Sequence, residues 1–150
     1  MKTALIGSLC SVPLMLAPAL AQEDGWENTP IEEREGKLCV AINHIDQTDV
    51  LDDHNILFDM RGKRLFLNKL PHRCPSLAFE DTFTYSTSTS QLCNVDIITV
   101  LRSTGSSFFP GPSCGLGKFI PVTKDEVKEI KANIKQAKKD KREAKKNKGE

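Results

Sequence analysis

Four cysteines constrain the fold of this chain more than any other feature of its sequence. The sequence has five cysteines, and these four follow the apolar N-terminal segment that holds Cys10, at Cys39, Cys74, Cys93 and Cys114. An even number of cysteines in a small exported chain is typical of a disulfide framework, and none of these pairs has the C-x-x-C or C-x-x-x-x-C spacing of structural zinc sites. We therefore predict two disulfides. Spacing alone does not determine the pairing. We favour Cys74–Cys93, which would join consecutive strands. Cys39–Cys114 would then join the start of the domain to its last strand.

The N-terminal segment, residues 1–21, has the layout of a secretory signal peptide. Lys2 supplies a positive charge, an apolar run extends from Ala4 to Leu16, and Ala19–Ala21 places small residues where a signal peptidase cleaves. The apolar run is too short, and too interrupted by proline, to cross a bilayer as a helix. We therefore predict cleavage before Gln22, a periplasmic or secreted protein, and no stable membrane span after cleavage.

Charge is distributed unevenly along the remaining chain. Residues 22–122 hold 9 Lys and Arg against 14 Asp and Glu, whereas residues 123–150 hold 11 against 6. Such asymmetry is typical of an interaction tail. The tail is either a solvating extension, which we favour, or a segment that attracts anionic lipid head groups or polyanions of the cell envelope. The overall balance argues against a nucleic-acid binder, which presents a basic folded face.

Residues 22–36 form an acidic segment before the cysteine-containing domain. The sequence here is QEDGWENTPIEEREG, with too little apolar surface to offset the entropy of ordering it. We predict a flexible acidic lead-in. Its single tryptophan, Trp26, is expected either to dock on the body or to project as a hook for a partner, and we favour docking.

Residues 37–122 carry alternating apolar patterns that indicate about six short strands. The clearest is a hairpin, in which Ile56–Met60 alternates, Arg61–Lys63 forms a Gly-containing loop, and Arg64–Leu70 returns. A loop is predicted at Ser103–Ser113 from its Gly, Ser and Pro content. Further strands are predicted at Lys37–Ile45 (a strand or short helix), Phe79–Ser86, Asp96–Leu101 and Cys114–Val122. We predict a mainly β domain, stapled by disulfides, that forms a small antiparallel sheet, barrel or sandwich.

Residues 123–150 have a different pattern, which predicts one basic C-terminal helix and a tail. Thr123–Glu126 matches a capping box, so the helix is expected to begin there. A narrow apolar stripe with helical spacing follows, formed by Val127, Ile130, Ile134 and Ala137. Beyond Ala137 there is no large apolar residue, so we expect that part to be solvated.

Several segments of the β domain resemble a family of exported proteobacterial proteins, the domain-of-unknown-function family 6491. They are V-L-D-D-H-N-I-L-F at Val50–Phe58, N-K-L-P-x-x-C-P-S-L at Asn68–Leu77, L-C-x-x-D-x-I-x-V-L at Leu92–Leu101, C-G-L-G-K-F at Cys114–Phe119, and the first cysteine, Cys39. The resemblance covers roughly residues 37–122 and leaves out the basic tail. It implies a secreted or periplasmic protein and supplies no catalytic residues.

The densest group of titratable residues is Asp52, Asp53 and His54. Together with Asp96, brought near by the fold, they form a candidate functional cluster in which carboxylates and an imidazole could exchange protons. Neighbouring residues of a strand point to opposite faces, however, so Asp52 and Asp53 would not converge on one substrate. We favour a turn at Asp52–His54, because Asp and Asn initiate turns. We expect Asp96 to accept hydrogen bonds from nearby backbone amides.

Motifs for metal binding and for nucleotide binding are missing from the sequence. A metal site would have to combine histidines with Asp46 or Asp96, and no pair of histidines has the spacing of an H-E-x-x-H helix. Gly105-Ser106-Ser107 does not match the G-x-S-x-G turn of serine nucleophiles, and no G-x-G-x-x-G occurs for nucleotide binding. We assign no catalytic residue, metal or cofactor. The candidate histidines are His44, His54 and His72.

Phe108 and Phe109 are the candidate contacts for a partner. Aromatic residues in a loop either anchor a partner or fold back onto the core. The sequence thus favours an exported binding or structural module without catalysis, whose partner is an envelope component or a protein. The alternative is a small hydrolase-like enzyme, or a carrier of a metal or ligand that uses Asp and His side chains.

Overall fold

The computed structural model describes residues 25–146, and the predicted signal peptide lies outside the described residues. The elements are β1 Cys39–Ala41, β2 Ile45–Val50, β3 Asn55–Met60, β4 Arg64–Lys69, α1 Leu77–Glu80, β5 Phe83–Tyr85, β6 Gln91–Cys93, β7 Ile97–Thr104, β8 Ser107–Gly115, β9 Phe119–Val122 and α2 Lys124–Lys146. Short 3-10 turns occur at Ile31–Glu33 and Ile42–His44. The mainly β class with a C-terminal helix is confirmed. The described strands number nine rather than about six, because β1, β5 and β6 are only 3 residues long.

The strands pair antiparallel in three small sheets, which are arranged in layers. A four-stranded sheet of order β2-β3-β4-β9 lies in the middle. Helix α2 packs on one of its faces. The three-stranded sheet β5-β7-β8 and the two-stranded sheet β1-β6 pack on the other face.

The β3–β4 hairpin forms where the alternation predicted it, and its two faces contact different layers. Ile56, Phe58 and Met60 point into the main core, which also holds Val40, Leu92, Ile98 and Val100 from the smaller sheets. Phe58 packs edge-on against Phe119 of β9, with ring centroids 5.2 Å apart. The intervening Leu57 points to the opposite face, towards α2. The hairpin turn contains Gly62 at a φ of 86°, a conformation that glycine adopts without steric cost.

Helix α2 starts with the predicted capping box. The Glu126 amide donates to Thr123 Oγ1 at 3.2 Å, and the Thr123 amide donates to Glu126 Oε2 at 2.8 Å. Val127, Ile130 and Ile134 then pack on the outer face of the four-stranded sheet, against Leu51, Leu57, Leu65, Leu67 and Val122. Beyond Ile134 the described residues of the helix are exposed, and the helix continues to Lys146.

All four cysteines are disulfide-bonded, but the favoured pairing is wrong. Cys39 of β1 lies directly opposite Cys93 of β6 and is bonded to it, with the Cα atoms 4.0 Å apart. Cys74, between β4 and α1, is bonded to Cys114 of β8. The favoured pairing assumed that the first strand lies beside the last one. Because β1 instead pairs with β6, Cys39 lies opposite Cys93, a pairing that the spacing of the cysteines does not predict.

The segment Ser103–Ser113, predicted as a loop, is mostly strand. Strands β7 and β8 form a long hairpin that turns at Gly105, where φ is 63°. β8 is the edge strand of its sheet. Proline has no backbone N–H to donate to a neighbouring strand, and an edge strand, which has a neighbour on one side only, tolerates this loss at Pro110. Phe79 also departs from expectation. It lies on the short helix α1 rather than on the strand face of Phe83, and is 86% exposed.

The acidic lead-in was predicted to be flexible, whereas its described part is tied to the body through Arg34. The Arg34 side chain is buried, donates to the carbonyl oxygens of Thr29 at 2.7 Å and Pro121 at 2.8 Å, and forms an ion pair with Glu126 of α2. Trp26 docks as favoured, with its ring centroid 4.8 Å from the Arg34 guanidinium carbon. The composition of residues 22–36 does not predict this attachment to the body, because a single arginine makes all of these contacts.

Candidate functional site

Asp52 and Asp53 follow β2 in the connection to β3, and Asp52 makes the predicted turn. Its Oδ1 accepts a hydrogen bond from the His54 amide at 2.7 Å and from Asn55 Nδ2 at 3.0 Å. Asparagine and aspartate side chains stabilise turns through local bonds of this kind. The Asp52 carboxylate is therefore used to hold the connection between two strands.

Asp53 holds a different segment in place. Its Oδ2 accepts from Arg73 at 2.7 and 2.9 Å, and its Oδ1 accepts from the Ala78 amide, on α1, at 3.0 Å. Partial burial raises the pKa of Asp53, but the Ala78 amide and the Arg73 guanidinium outweigh it, so that the pKa lies below its usual range. Asp53 is thus an ionised anchor for the segment after β4.

A cleft forms where this turn faces helix α2. Asp52, Asp53 and His54 line it together with Arg73 and Ala78, and the helix side is formed by Ile134, Ala137, Lys138 and Lys141. Its volume is about 480 Å³. His54 is exposed at the rim. The cleft therefore combines two carboxylates already used in hydrogen bonds with lysines from the C-terminal helix.

Asp96, the fourth member of the candidate cluster, does not line this cleft. It lies between β6 and β7, and its Oδ2 accepts a hydrogen bond from the Cys93 amide at 2.6 Å. This is the backbone contact that was expected for it. The fold thus brings together Asp52, Asp53 and His54 but leaves Asp96 out.

The three histidines lie on separate connections and are exposed. His44 ends the 3-10 turn before β2, His54 precedes β3, and His72 follows β4. Within residues 25–146, no three or more His, Cys, Asp or Glu side chains come close enough to hold a metal ion.

Phe108 and Phe109 lie on β8, near the tip of the β7–β8 hairpin. They pair with Ser103 and Arg102 of β7. Phe108 is 61% exposed and Phe109 53% exposed, so neither folds back onto the core. The tip presents apolar surface on both faces of the hairpin, because successive strand residues point in opposite directions.

The feature that sequence reasoning missed is a row of cations along the whole of α2, called here the cation stripe. Successive members are separated alternately by four and three positions, so they share one face of the helix. All are exposed. The members are Lys124, Lys128, Lys131, Lys135, Lys138, Arg142 and Lys145.

The stripe is separated from the carboxylates of the same helix. At about 100° per residue, all basic residues of α2 fall within an arc of about 160°. The carboxylates occupy the remaining part, at Asp125, Glu126, Glu129, Asp140 and Glu143. A count of charges along the tail conceals this separation. The 4–3 spacing of the lysines was the available signal, and it runs parallel to the apolar stripe that the sequence did reveal.

One side of the stripe borders an open groove against the body. Asp49, Val50 and Leu51 form the body wall, and the helix wall includes Lys131, Lys135, Lys138 and Arg142. Lys131 Nζ donates to Asp49 Oδ2 at 2.5 Å, so the carboxylate of the groove is already paired. Lys128 pairs with Asp125 of its own helix at 2.8 Å. Within the described part of the chain, the other five stripe cations have no carboxylate oxygen within 4.0 Å. The groove therefore carries excess positive charge.

No family model, curated protein or solved structure matches this chain. The resemblance to family 6491 therefore stays a prediction.

In residues 25–146, neither helix combines the length and the apolar character needed to cross a membrane.

Proposed function

We propose that this chain is a small non-catalytic binding module of the periplasm or the secreted space, and that it binds an anionic partner through α2. The observation that carries the proposal is the cation stripe, since a row of exposed and mostly unpaired cations on a rigid helix attracts anions. Exposed lysines normally alternate with acidic partners on a helix surface. Here the acidic residues are on the other side.

The disulfides support the proposed compartment. Both bridges join segments far apart in sequence, Cys39 to Cys93 and Cys74 to Cys114. Disulfides of this structural kind persist in oxidising compartments, such as the periplasm and the extracellular space, and are rare in the cytosol.

The contacts of the candidate cluster favour binding over catalysis. A general acid or base needs a pKa near the working pH and a free path to its substrate. The pKa of Asp53 lies below its usual range, because the Ala78 amide and Arg73 outweigh the effect of burial, and both of its oxygens accept hydrogen bonds. Asp52 and Asp96 are likewise bonded to backbone amides.

The test compares the oxidised chain, residues 22–150, on matrices that carry sulfate, uncharged hydroxyl or quaternary amine groups. We expect retention on sulfate alone, weakening as salt rises because exposed charges are screened. In parallel, esters, glycosides and peptides are incubated with the protein, and we expect no product.

Two triple variants with the same change of charge provide the control. K135Q/K138Q/R142Q removes stripe cations from the groove, and we expect weaker retention. R61Q/R102Q/K118Q removes three exposed cations that lie outside the groove and outside the pocket that contains Lys124, and we expect retention close to that of the unaltered chain. Equal losses in both variants, or turnover of any substrate above the protein-free rate, would contradict the proposal.

A further inference from the structure

We infer that the ligand of the cation stripe is a linear polyanion, a polymer with phosphate, sulfate or carboxylate groups repeated along its chain, which lies lengthwise along α2. This inference rests on the proposed function, because it names the class of partner that the same surface binds. It follows from the dimensions of the stripe, from the shape of the groove beside it and from the charge of the body.

The dimensions of the stripe match an extended polymer. From Lys124 to Lys145 the helix rises about 32 Å, at about 1.5 Å per residue. Successive stripe cations are therefore about 5 Å apart along the axis. An extended chain whose anionic groups repeat at a similar distance would meet one cation after another without bending. A small anion would contact only one or two of them.

The shape of the groove also fits a linear polymer better than a flat membrane surface. Asp49, Val50 and Leu51 stand beside the helix as a wall, so Lys135, Lys138 and Arg142 face a channel with the body along one side. A polymer can lie in such a channel. A flat surface would touch the outer edge of the helix and would leave the groove unfilled.

The composition of α2 and that of residues 22–122 argue against an anionic membrane as the partner. The large apolar residues of α2, Val127, Ile130 and Ile134, are used in packing on the sheet, and the described residues beyond Ile134 include no large apolar side chain to insert between lipids. Residues 22–122 carry 14 acidic against 9 basic side chains, which would repel an anionic bilayer broad enough to face the body as well as α2. A single polymer meets only the groove wall, where Asp49 is already paired with Lys131.

The chemistry of the helix face also disfavours single-stranded nucleic acid. Helix α2 contains no aromatic residue, and proteins that bind single-stranded nucleic acid stack bases on aromatic side chains. The helix face therefore recognises its ligand by charge, and a polyanion without bases provides that charge.

The experiment measures Kd of the oxidised chain, residues 22–150, for a length series of sulfated oligosaccharides and of polyphosphates by fluorescence anisotropy. Uncharged dextran and vesicles of phosphatidylglycerol and phosphatidylcholine are the comparison probes. We expect the affinity, divided by the number of registers in which the oligomer can bind, to rise with oligomer length until the oligomer spans about 32 Å, and to change little beyond that. We expect weaker binding to the vesicles and none to dextran.

The same triple variants then test the position of the ligand. For K135Q/K138Q/R142Q we expect Kd to rise at least about tenfold, given typical energies of exposed ion pairs. We also expect the slope of log Kd against log salt to fall by about two units, because about 0.7 of a counterion is released per neutralised charge on a single-stranded polyanion. R61Q/R102Q/K118Q is expected to keep both values.

Three outcomes would overturn the inference, and they differ in what they leave standing. Tight binding to vesicles without binding to the oligomers excludes a linear ligand, but keeps an anionic partner and the proposed function. An affinity per register that keeps rising beyond about 32 Å shows a diffuse charge effect rather than a ligand aligned with α2. The absence of binding to any anionic probe removes both the inference and the role of α2 in the proposed function.

Discussion

Arg34 and Glu126 lie 92 positions apart in the sequence and form an ion pair whose arginine side chain is only 1% exposed. The arginine also donates to the carbonyl oxygens of Thr29 and Pro121, and its guanidinium stacks on Trp26. One side chain thus joins the first described segment, the last strand and the last helix. This clamp, as Arg34 with these partners is called below, is the basis of the first two predictions.

Replacing Arg34 with alanine is expected to destabilise the fold by about 2–4 kcal/mol. The substitution leaves two carbonyl oxygens without their donor and the Glu126 carboxylate without its charged partner, and removing one partner of a buried pair costs more than the pair itself contributes. Urea unfolding followed by circular dichroism measures the change. Arg61→Ala, at an exposed position, is the matched control and should change stability by less than about 0.5 kcal/mol. Similar losses in the two variants would show that the clamp contributes nothing.

Stability is expected to fall as the solution becomes acidic, because of Glu126. The Arg34 guanidinium, and then the amide and hydroxyl of Thr123, lower the pKa of Glu126 to about 2 despite partial burial. Because the folded-state pKa lies below the unfolded value of 4.5, the contribution of Glu126 to the free energy of unfolding is fully present above pH 4.5 and is lost as the pH falls towards 2. The loss amounts to about 3 kcal/mol. Unfolding free energies of the native chain and Glu126→Gln between pH 7 and pH 2 test this. The variant should be less stable at pH 7 and show a flatter pH dependence, and parallel curves would refute the assignment.

The disulfide pairing predicts a specific peptide map. Protein alkylated without reduction and then digested should yield linked peptides for Cys39 with Cys93 and for Cys74 with Cys114. Peptides linking Cys39 to Cys114 would contradict the strand order, since β1 would then lie beside β8.

We further expect C74A/C114A to lose more stability than C39A/C93A, although loop closure contributes about 4 kcal/mol to each. Cys74 is fully buried in the main core, and its removal adds the cost of a cavity.

Asn68 and Gly117 give a prediction about a position that only glycine can occupy. Asn68 Nδ2 donates to the Gly117 carbonyl oxygen at 2.7 Å, and the Gly117 amide donates to Asn68 Oδ1 at 2.8 Å. A Cβ on Gly117 would overlap the carbonyl oxygen of Lys69. Gly117→Ala is therefore expected to lower the thermal midpoint by roughly 10 °C or more, as a loss of about 2 kcal/mol or more implies for a domain of this size. Gly115→Ala has open space around the new methyl group and is the control.

The local parts of this fold were predictable from the sequence, because their causes are local. The alternation at Ile56–Met60, the loop at Arg61–Lys63 and the capping box at Thr123–Glu126 each act through residues a few positions apart. The apolar stripe Val127, Ile130 and Ile134 likewise has a period that one stretch of sequence reveals. The mainly β class and the C-terminal helix follow from such signals.

The disulfide pairing and the clamp could not be predicted, because they depend on which distant strands are neighbours. Nothing near Cys39 distinguishes Cys93 from Cys114 as its partner. Arg34 lies in an acidic segment with no apolar pattern, and its burial is decided by Pro121 and Glu126. The hairpin tip at Phe108 was misjudged for another reason, since the Gly and Pro content that usually marks a loop here occurs in an edge strand.

The candidate site was predicted in part. The turn at Asp52–His54 and the backbone contact of Asp96 have local causes and were expected. That α2 would close a cleft over Asp53 depends on how the helix crosses the sheet, which the sequence does not encode within any short stretch. The cation stripe is encoded in the 4–3 spacing of the basic residues, which the net charge of residues 123–150 does not resolve.

The clamp has a consequence for the order in which the chain folds. A polypeptide that emerges N-terminus first, from a ribosome or through a membrane pore, presents Arg34 long before Pro121 and Glu126 become available. Until then the arginine remains hydrated and its own segment has no docking surface. The native contacts of the described part of the lead-in are therefore completed only after β9 and α2 have emerged.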